Sequence, residues 1–311
     1  MTEFVLGIDI GGTKTAAGLV TAAGNVVARV DAPTPSSEGG ERILDMAVRL
    51  GRELIDRHPG GARDIIAVGV GSAGVIDPIH RRVIAATDDL SSWAGTEIGS
   101  VLASAFGLPV VAQNDVHAHA VGEAFVGAGR GHRTVVVAAV GTGIGGAVVL
   151  DGVPQAGARG VAGHLGHIPI DEAAGLQCPC GKSGHVEAVS SGTALYRLYL
   201  RRGGDPTARD SRDVVARTLT DPIARGAVVT SATALGRVLG GVVNLIDPGV
   251  VIIAGGMINA GELWWASMDG GLRQTVLPIL NDVSVVRAQL GDDAAIIGAA
   301  KRAFDTEGRP T

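Results

Sequence analysis

Two glycine turns constrain the fold of this chain more than any other feature. The first, Asp9-Ile10-Gly11-Gly12-Thr13-Lys14, closes an apolar stretch, Phe4–Ile10, and leads into two more, Ala16–Val20 and Val26–Val30. The second, Gly141-Thr142-Gly143-Ile144-Gly145-Gly146, joins Val135–Val140 to Gly145–Leu150. Both read as strand–turn–strand units in which residues without a Cβ let backbone N–H groups come close to a polyanion. An ordinary hairpin is the plain alternative for each taken singly. Two copies, each followed by mixed helices and strands, predict an internally duplicated α/β protein of two lobes. The boundary is expected near Gln113, with a first lobe of residues 1–113 plus 291–311 and a second of residues 114–290.

A chain of 311 residues can bury two cores of this size. Its 48 glycines fall in hydrophobic contexts, as tight turns do and linkers do not. A net charge of -5, the absence of a basic run and 3% aromatics disfavour a nucleic-acid surface. The N-terminus carries no basic region followed by a long apolar one. The longest uncharged run, Thr134–Leu150, is broken by glycines, whereas a membrane span needs about 20 apolar residues. Two cysteines spaced Cys-x-Cys are no disulfide framework. No membrane partner is expected, and the expected compartment is the cytoplasm.

Apolar residues at Ile43, Met46, Ala47, Leu50, Leu54 and Ile55 predict a helix over 42–58. Further helices are expected over 97–106, 115–127, 191–202, 211–218, 227–245 and 294–304. Strands are expected over 65–70, 110–112 and 250–253.

Several positions carry chemistry. Asp9, a carboxylate at a strand end, suits a hydrated Mg²⁺, with Thr13 offering a hydroxyl and Lys14 a charge. Gln113-Asn114-Asp115 lies between a strand and a helix, where α/β folds place ligands and where Asx residues also cap helices. Gly255-Gly256, after Val250–Ile253, either gives an adenine a flat backbone to rest on or makes a tight turn. The stretch from Gly163 to Glu187 gathers His164, His167, Cys178, Cys180 and His185, which include both cysteines of the chain. Such a set suggests a structural zinc, and the spare His and Glu187 suggest a second ligand there.

The ordered set DIGGTK, GSAGVID, QNDVHAHAVGE, GTGIGG, GHLGH…CPCGKSGHVE and NLIDPGVVIIAGGM resembles the ROK (repressor, ORF, kinase) family of sugar kinases, over essentially the whole chain. The resemblance implies two ribonuclease-H-like lobes of the actin/hexokinase type, with nucleotide and sugar in the cleft between them. It implies transfer of the γ-phosphoryl group of ATP, with Mg²⁺, to a hexose hydroxyl, expected at C6. Asp115 matches the base that takes the hydroxyl proton. Gly74, Asp89, Asn114, Asp115, His164, His167 and Glu187 match the sugar side. Asp9, Gly11, Gly12, Thr13, Lys14, Gly141, Thr142, Gly143, Gly255 and Gly256 match the nucleotide side. His167, Cys178, Cys180 and His185 match the ligands of a structural Zn²⁺. A homodimer or homotetramer is the implied assembly.

Three departures stand out. His185 replaces a family cysteine, leaving a Cys₂His₂ set that zinc accepts. Asp89, in Asp-Leu-Ser-Ser-Trp, stands where the family commonly has Asn-Leu-Pro-x-Trp, and it loses the amide donors. His164 replaces the Glu of the Gly-Glu-x-Gly-His motif of family glucokinases, which pairs with hydroxyls near C1 and C2. Some bacterial N-acetylmannosamine kinases of the family have Gly-His-x-Gly-His here. An N-acylhexosamine such as N-acetylmannosamine is therefore the expected substrate, and glucose is the alternative. A non-catalytic sugar-sensing protein is a further alternative, opposed by Asp9, Lys14, Asn114 and Asp115. Family repressors carry a DNA-binding segment ahead of DIGGTK, and with Asp9 so early none is expected here. His117 and His119 are expected to pack the helix or face solvent.

Overall fold

The computed structural model describes residues 3–87 and 90–307. Along the chain run strands β1 (Phe4–Ile10), β2 (Lys14–Thr21) and β3 (Val26–Pro33), helix α1 (Gly40–Arg57), and strands β4 (Ile65–Ser72), β5 (Val75–Ile76) and β6 (Val83–Ala85). Helix α2 (Ile98–Phe106), strand β7 (Val110–Asn114) and helix α3 (Asp115–Val126) follow, then strands β8 (Thr134–Val140), β9 (Ile144–Leu150) and β10 (Val153–Pro154). Next come α4 (Glu187–Ser190), α5 (Gly192–Arg201), α6 (Ser211–Ala216) and α7 (Pro222–Ile246). The chain closes with β11 (Val250–Ala254), α8 (Gly261–Arg273), β12 (Ser284–Arg287) and α9 (Ala294–Glu307).

The expected duplication is present in the topology. One sheet has the order β3-β2-β1-β4-β7 and the other β10-β9-β8-β11-β12. In the first, β1 and β2 form the hairpin around Gly11–Gly12, while β4 and β7 add in parallel. In the second, β8 and β9 form the hairpin around Gly141–Gly143, while β11 and β12 add in parallel. A right-twisted parallel sheet covered on both faces needs strands that are apolar throughout. The first sheet shows why. Leu6, Ile8 and Ile10 of β1 pack with Ile43 and Leu50 of α1 and Leu102 of α2. Val5 points the other way, into a cluster with Ile296, Ala300 and Ala303 of α9.

Two compact units result. The first comprises Met1–His132, Val148–Ala162 and Gln289–Thr311, and the second Arg133–Ala147 and Gly163–Ala288. This corrects the expected boundary at Gln113: α3 stays with the first unit, and the division passes through β9. The cause is a backbone-to-backbone contact. A Cβ on Gly298 of α9 would lie 1.8 Å from the Ala118 carbonyl oxygen of α3, and one on Gly122 of α3 would lie 2.1 Å from that of Ala294. Helices with such contacts cannot separate without exposing both faces.

The helix expected over 227–245 begins earlier, at Pro222, because Asp221 caps it by accepting from the N–H groups of Ile223 and Ala224. Among the described residues it is the one helix long and apolar enough to span a membrane, and 61% of its apolar window is buried. Its partner α8 and strand β12 carried no readable period. Paired glycines and tryptophans in Gly261–Arg273 obscure the helical pattern, and β12 is four residues long.

Gly298→Val places a side chain inside the α3–α9 contact. It should lower unfolding stability by about 2–3 kcal/mol, read as a shift in the denaturant midpoint, and Gly241→Ala, an open helical site, should not.

Candidate active site

In the first unit the strand ends set the geometry. Register places Ile10 beside Ser72 and Ser72 beside Asn114, so β1, β4 and β7 finish in line with Asp9 and Asp115 at one edge. This is the carboxyl edge, where open α/β sheets carry ligands. Asn114 ends β7 and caps α3. Its Oδ1 accepts from the N–H groups of Val116 at 3.0 Å and His117 at 3.2 Å. Its Nδ2 donates to the Gly74 carbonyl at 3.0 Å and to Asp115 Oδ1 at 2.8 Å. The cap and the site thus coexist in one residue, because a side-chain amide has both donors and acceptors to give.

Gly74 is in the left-handed region, at φ +95°, and a Cβ there would lie 2.7 Å from the Ala85 carbonyl oxygen. Its turn is anchored by the Ala73 N–H on Ile10 and by the buried Trp93 indole on the Ala73 carbonyl. His117 is 3% exposed, with Nε2 2.9 Å from the Ala162 carbonyl, which makes it a packing residue. Burial depresses the basicity of both His117 and His119.

Burial raises the Asp115 carboxyl well above the usual carboxylate range, opposed by the Val116 N–H and the Asn114 amide. Burial and the neighbouring Asp115 charge push Asp9 up to about 7, opposed by Lys14. Two carboxylates in one desolvated edge create a need for positive charge, which a divalent cation on Asp9 would meet. In the turn between them and solvent, Gly11 N–H donates to the Lys14 carbonyl at 3.0 Å, and Thr34 Oγ1 donates to the Gly11 carbonyl at 2.7 Å. Lys14 itself is ion-paired with Asp292.

The second unit holds the other glycine hairpin beside a cavity of about 760 Å³. Gly141, Thr142 and Gly256 line it, as expected, whereas Gly143 and Gly255 do not. Gly255 sits at φ +84° against the backbone of Val140 and shapes the strand end instead. Gly143 leaves room for Glu187, since a Cβ there would lie 2.8 Å from Glu187 Oε2. That carboxylate is 8% exposed and accepts the Ile144 N–H at 2.6 Å. Its Oε1 accepts from the Cys178 thiol at 3.6 Å. Glu187 therefore joins the hairpin to the cysteine loop.

Sequence reasoning missed the opposite wall of the cavity, formed by Tyr196, Asp210, Arg212, Met257 and Asn259. Met257 closes the NLIDPGVVIIAGGM motif, but the others come from separate helices and turns that no local pattern marks. The loop that leads to Asp210 is fixed by the buried Tyr199, whose hydroxyl donates to Asp221 and accepts the Asp205 N–H.

His167, Cys178, Cys180 and His185 converge, with ligand atoms all within 4.8 Å of one another. Cys178 Sγ lies 3.6 Å from His167 Nδ1, and Cys180 Sγ 3.3 Å from His185 Nδ1. A tetrahedral zinc with Zn–S near 2.3 Å and Zn–N near 2.0–2.1 Å sets ligand separations of roughly 3.3–3.8 Å, and these two Cys–His pairs fall in that range. Burial pushes the Cys178 thiol up to about 12, so this thiol does not ionise unaided near neutrality. His164 stands just before the short turn Leu165–His167, its ring 6.2 Å from that of His167 and outside the four-ligand set. Asp89 lies outside the described residues.

Residues 5–305 match the ROK family model. The chain belongs to the ROK family. It is 32% identical to the glucokinase of Thermotoga maritima, over 95% of this chain and 96% of that one. It is also 32% identical to the bifunctional enzyme NanE/NanK of Brucella melitensis, over 95% of this chain and 53% of that one. Among solved structures, the ROK family glucokinase of Streptomyces griseus in complex with glucose and AMPPNP matches with a TM-score of 0.79 and 31% identity. That match covers 97% of this chain and 99% of that one. The fold is the two-lobe actin/hexokinase type, and the chain is a sugar kinase.

Two outcomes follow from these charges and ligands. The native Asp9 carboxyl keeps its proton to about 7 and the unfolded one only to about 3.8, so native stability falls as pH rises between those values. In magnesium-free buffer Asp9→Asn should therefore gain about 2–4 kcal/mol above pH 7 and nothing near pH 4, as followed by denaturant titration. Metal analysis of the purified protein should find one zinc per chain, reduced at least several-fold in Cys178→Ser.

Proposed function

We propose that the protein transfers the γ-phosphoryl group of ATP·Mg²⁺ to the C6 hydroxyl of an N-acylhexosamine such as N-acetylmannosamine. The observation that carries the transfer is the Asn114–Asp115 pair at the aligned strand ends. Asn114 Nδ2 and the Val116 N–H both hold Asp115 Oδ1. The second oxygen is left to take the sugar's proton, and burial strengthens it as a base. The hydroxyl oxygen bonds to the γ-phosphorus, the bond from that phosphorus to the β–γ bridging oxygen breaks, and ADP leaves. Such transfers depend on alignment and charge neutralisation more than on covalent catalysis. Lys14 and the Gly11–Thr13 turn serve the phosphates, with Asp9 toward Mg²⁺. Gly141, Thr142 and Gly256 line the cavity that suits the adenosine. Gly74, Asn114, His164, His167 and Glu187 serve the sugar.

Bound zinc would cross-link the Cys178–His185 loop and fix the ring of His167. With four protein ligands it would leave no open position, so its part is structural. The cytoplasm is the compartment that suits ATP and a phosphorylated sugar.

The substrate reading rests on His164. A carboxylate only accepts hydrogen bonds, whereas imidazole both donates and accepts, and a polar site built for one partner rejects others strongly. Glucose is the second reading, favoured by the full-length likeness to glucokinases.

A comparison of ATP-dependent phosphorylation of glucose, mannose, N-acetylglucosamine and N-acetylmannosamine decides between them. The highest kcat/KM is expected for N-acetylmannosamine, and a glucose value more than tenfold above the rest would reassign the substrate. In the same assay Asp115→Asn should cut kcat by roughly 10²–10⁴-fold. Turnover within tenfold of the unsubstituted protein would remove Asp115 as the base.

A further inference from the structure

Lys14, the cation of the first glycine turn, is engaged by an acid from the far end of the chain. Its ammonium donates to the carboxylate of Asp292, 278 positions away. Asp292 also lies 3.8 Å from Arg29, whose guanidinium is held by Asp31 at 3.2 Å and Asp293 at 3.2 Å. Around two cations there are thus three rim carboxylates, with the half-buried Asp9 behind them. Lys14 is consequently not a spare charge waiting on the turn: a phosphate that it serves meets a carboxylate already bound there.

The segment that presents Asp292 is tethered. Glu123 of α3 is fully buried, and its Oε1 accepts the N–H groups of Gln289 at 2.9 Å and Leu290 at 2.8 Å. Its Oε2 accepts the Ala128 N–H at 2.9 Å. The turn Gly291–Asp293 follows, closed by the Asp293 N–H on the Leu290 carbonyl, and α9 begins at Ala294 on the glycine contact with α3. One buried carboxylate on the helix that starts with Asp115 therefore sets where Asp292 stands. The ion pair itself is open, with side-chain exposures of 39% for Lys14 and 70% for Asp292. Open pairs contribute about 0–1 kcal/mol, which makes this one exchangeable.

We propose that Asp292 competes with the phosphates of the donor for Lys14, as a carboxylate placed to weaken nucleotide binding and to help product leave. This rests on the reading of the Gly11–Lys14 turn as the phosphate site. A triphosphate brings more negative charge than one carboxylate and takes Lys14. After transfer the donor has lost a phosphoryl group, and Asp292 competes more effectively. Lys14 also holds the Asp292 carboxyl below the usual range, so the competitor remains charged at neutral pH. Arg29, bound by Asp31 and Asp293, stays in place through the exchange. Asp292 is a positioning residue in this scheme and takes no part in proton or phosphoryl transfer.

The test is calorimetric titration of ATP·Mg²⁺, ADP·Mg²⁺ and inorganic tripolyphosphate into four proteins: unsubstituted, Asp292→Asn, Lys14→Ala and the double variant. Asp292→Asn should tighten all three ligands by roughly threefold to fivefold, the upper end of what an exposed pair contributes. The gain should vanish when Lys14 is alanine and shrink as salt is raised. In turnover, KM for ATP should fall with no rise in kcat. Affinities within 1.5-fold of the unsubstituted protein, weaker binding, or a gain that survives Lys14→Ala would each overturn the proposal. Asp292→Ser guards against an effect peculiar to the introduced amide, and disagreement between the two variants would also overturn it. If the unsubstituted protein binds neither nucleotide, the phosphate reading of the turn fails and this inference with it. Normal binding that Asp292→Asn leaves unchanged defeats this inference alone.

Discussion

The first unit depends on a helix that lies directly on backbone. On the sheet, Gly7 of β1 and Gly69 of β4 leave no room for a side chain beneath α9: a Cβ there would come within 2.5 Å of the Ile296 carbonyl oxygen and 2.1 Å of the Ala299 one. On its flank, Gly298 meets α3 in the same way. Close approach replaces side-chain interdigitation with dispersion between main chains, which gives the contact little freedom to slide. Three acidic positions inherit that rigidity. Asp9 is the next-to-last residue of the strand under α9, Asp115 begins the helix beside it, and Asp292 stands two residues before the start of α9. The same device recurs in the second unit, where Gly236 and Gly271 bring α7 and α8 together.

Rigid placement is what lets the site hold charge that water would otherwise disperse. Asp9 and Asp115 share a desolvated edge, where burial disfavours ionisation of both and the Asp115 charge further disfavours that of Asp9. In a mobile loop they would move apart or hydrate. Fixed to strand ends, they remain as an unmet demand for cations, which suits a site that handles a polyphosphate with its metal. Lys14, Arg29 and the acids around them form a more open layer in front of this edge, where partners can exchange. The aspartates of the two layers differ in depth and in partners: those in front are paired with cations near solvent, whereas Asp9 and Asp115 stand behind them at the strand ends.

In the second unit one residue links chemistries that seemed separate in the sequence. Glu187 accepts the Ile144 N–H of the glycine hairpin through one oxygen and the Cys178 thiol through the other. The missing side chain at Gly143 makes that reach possible. Hairpin, carboxylate and cysteine loop therefore form one connected structure. His167 belongs to the converging metal-type set, and His164 precedes it by one short turn.

Much of this was legible in the chain itself, for local reasons. Glycine turns between apolar strands, Asn before a helix and cysteines two apart are patterns within a few residues, and each reports a local geometry. Their repetition in order disclosed the duplication and the family. The unit boundary, the far wall of the cavity, the Lys14–Asp292 pair and the Glu187–Ile144 contact were not legible, since each joins residues tens to hundreds of positions apart. Asp292 shows the limit well: in Gly-Asp-Asp-Ala it reads as an ordinary helix-start acid, and only the seating of α9 brings it to Lys14. The order of residues settles which chemical groups are available and which short turns hold them. Tertiary structure decided which of those groups share a desolvated edge, because burial and charge proximity depend on distance in space, which the order of residues does not carry.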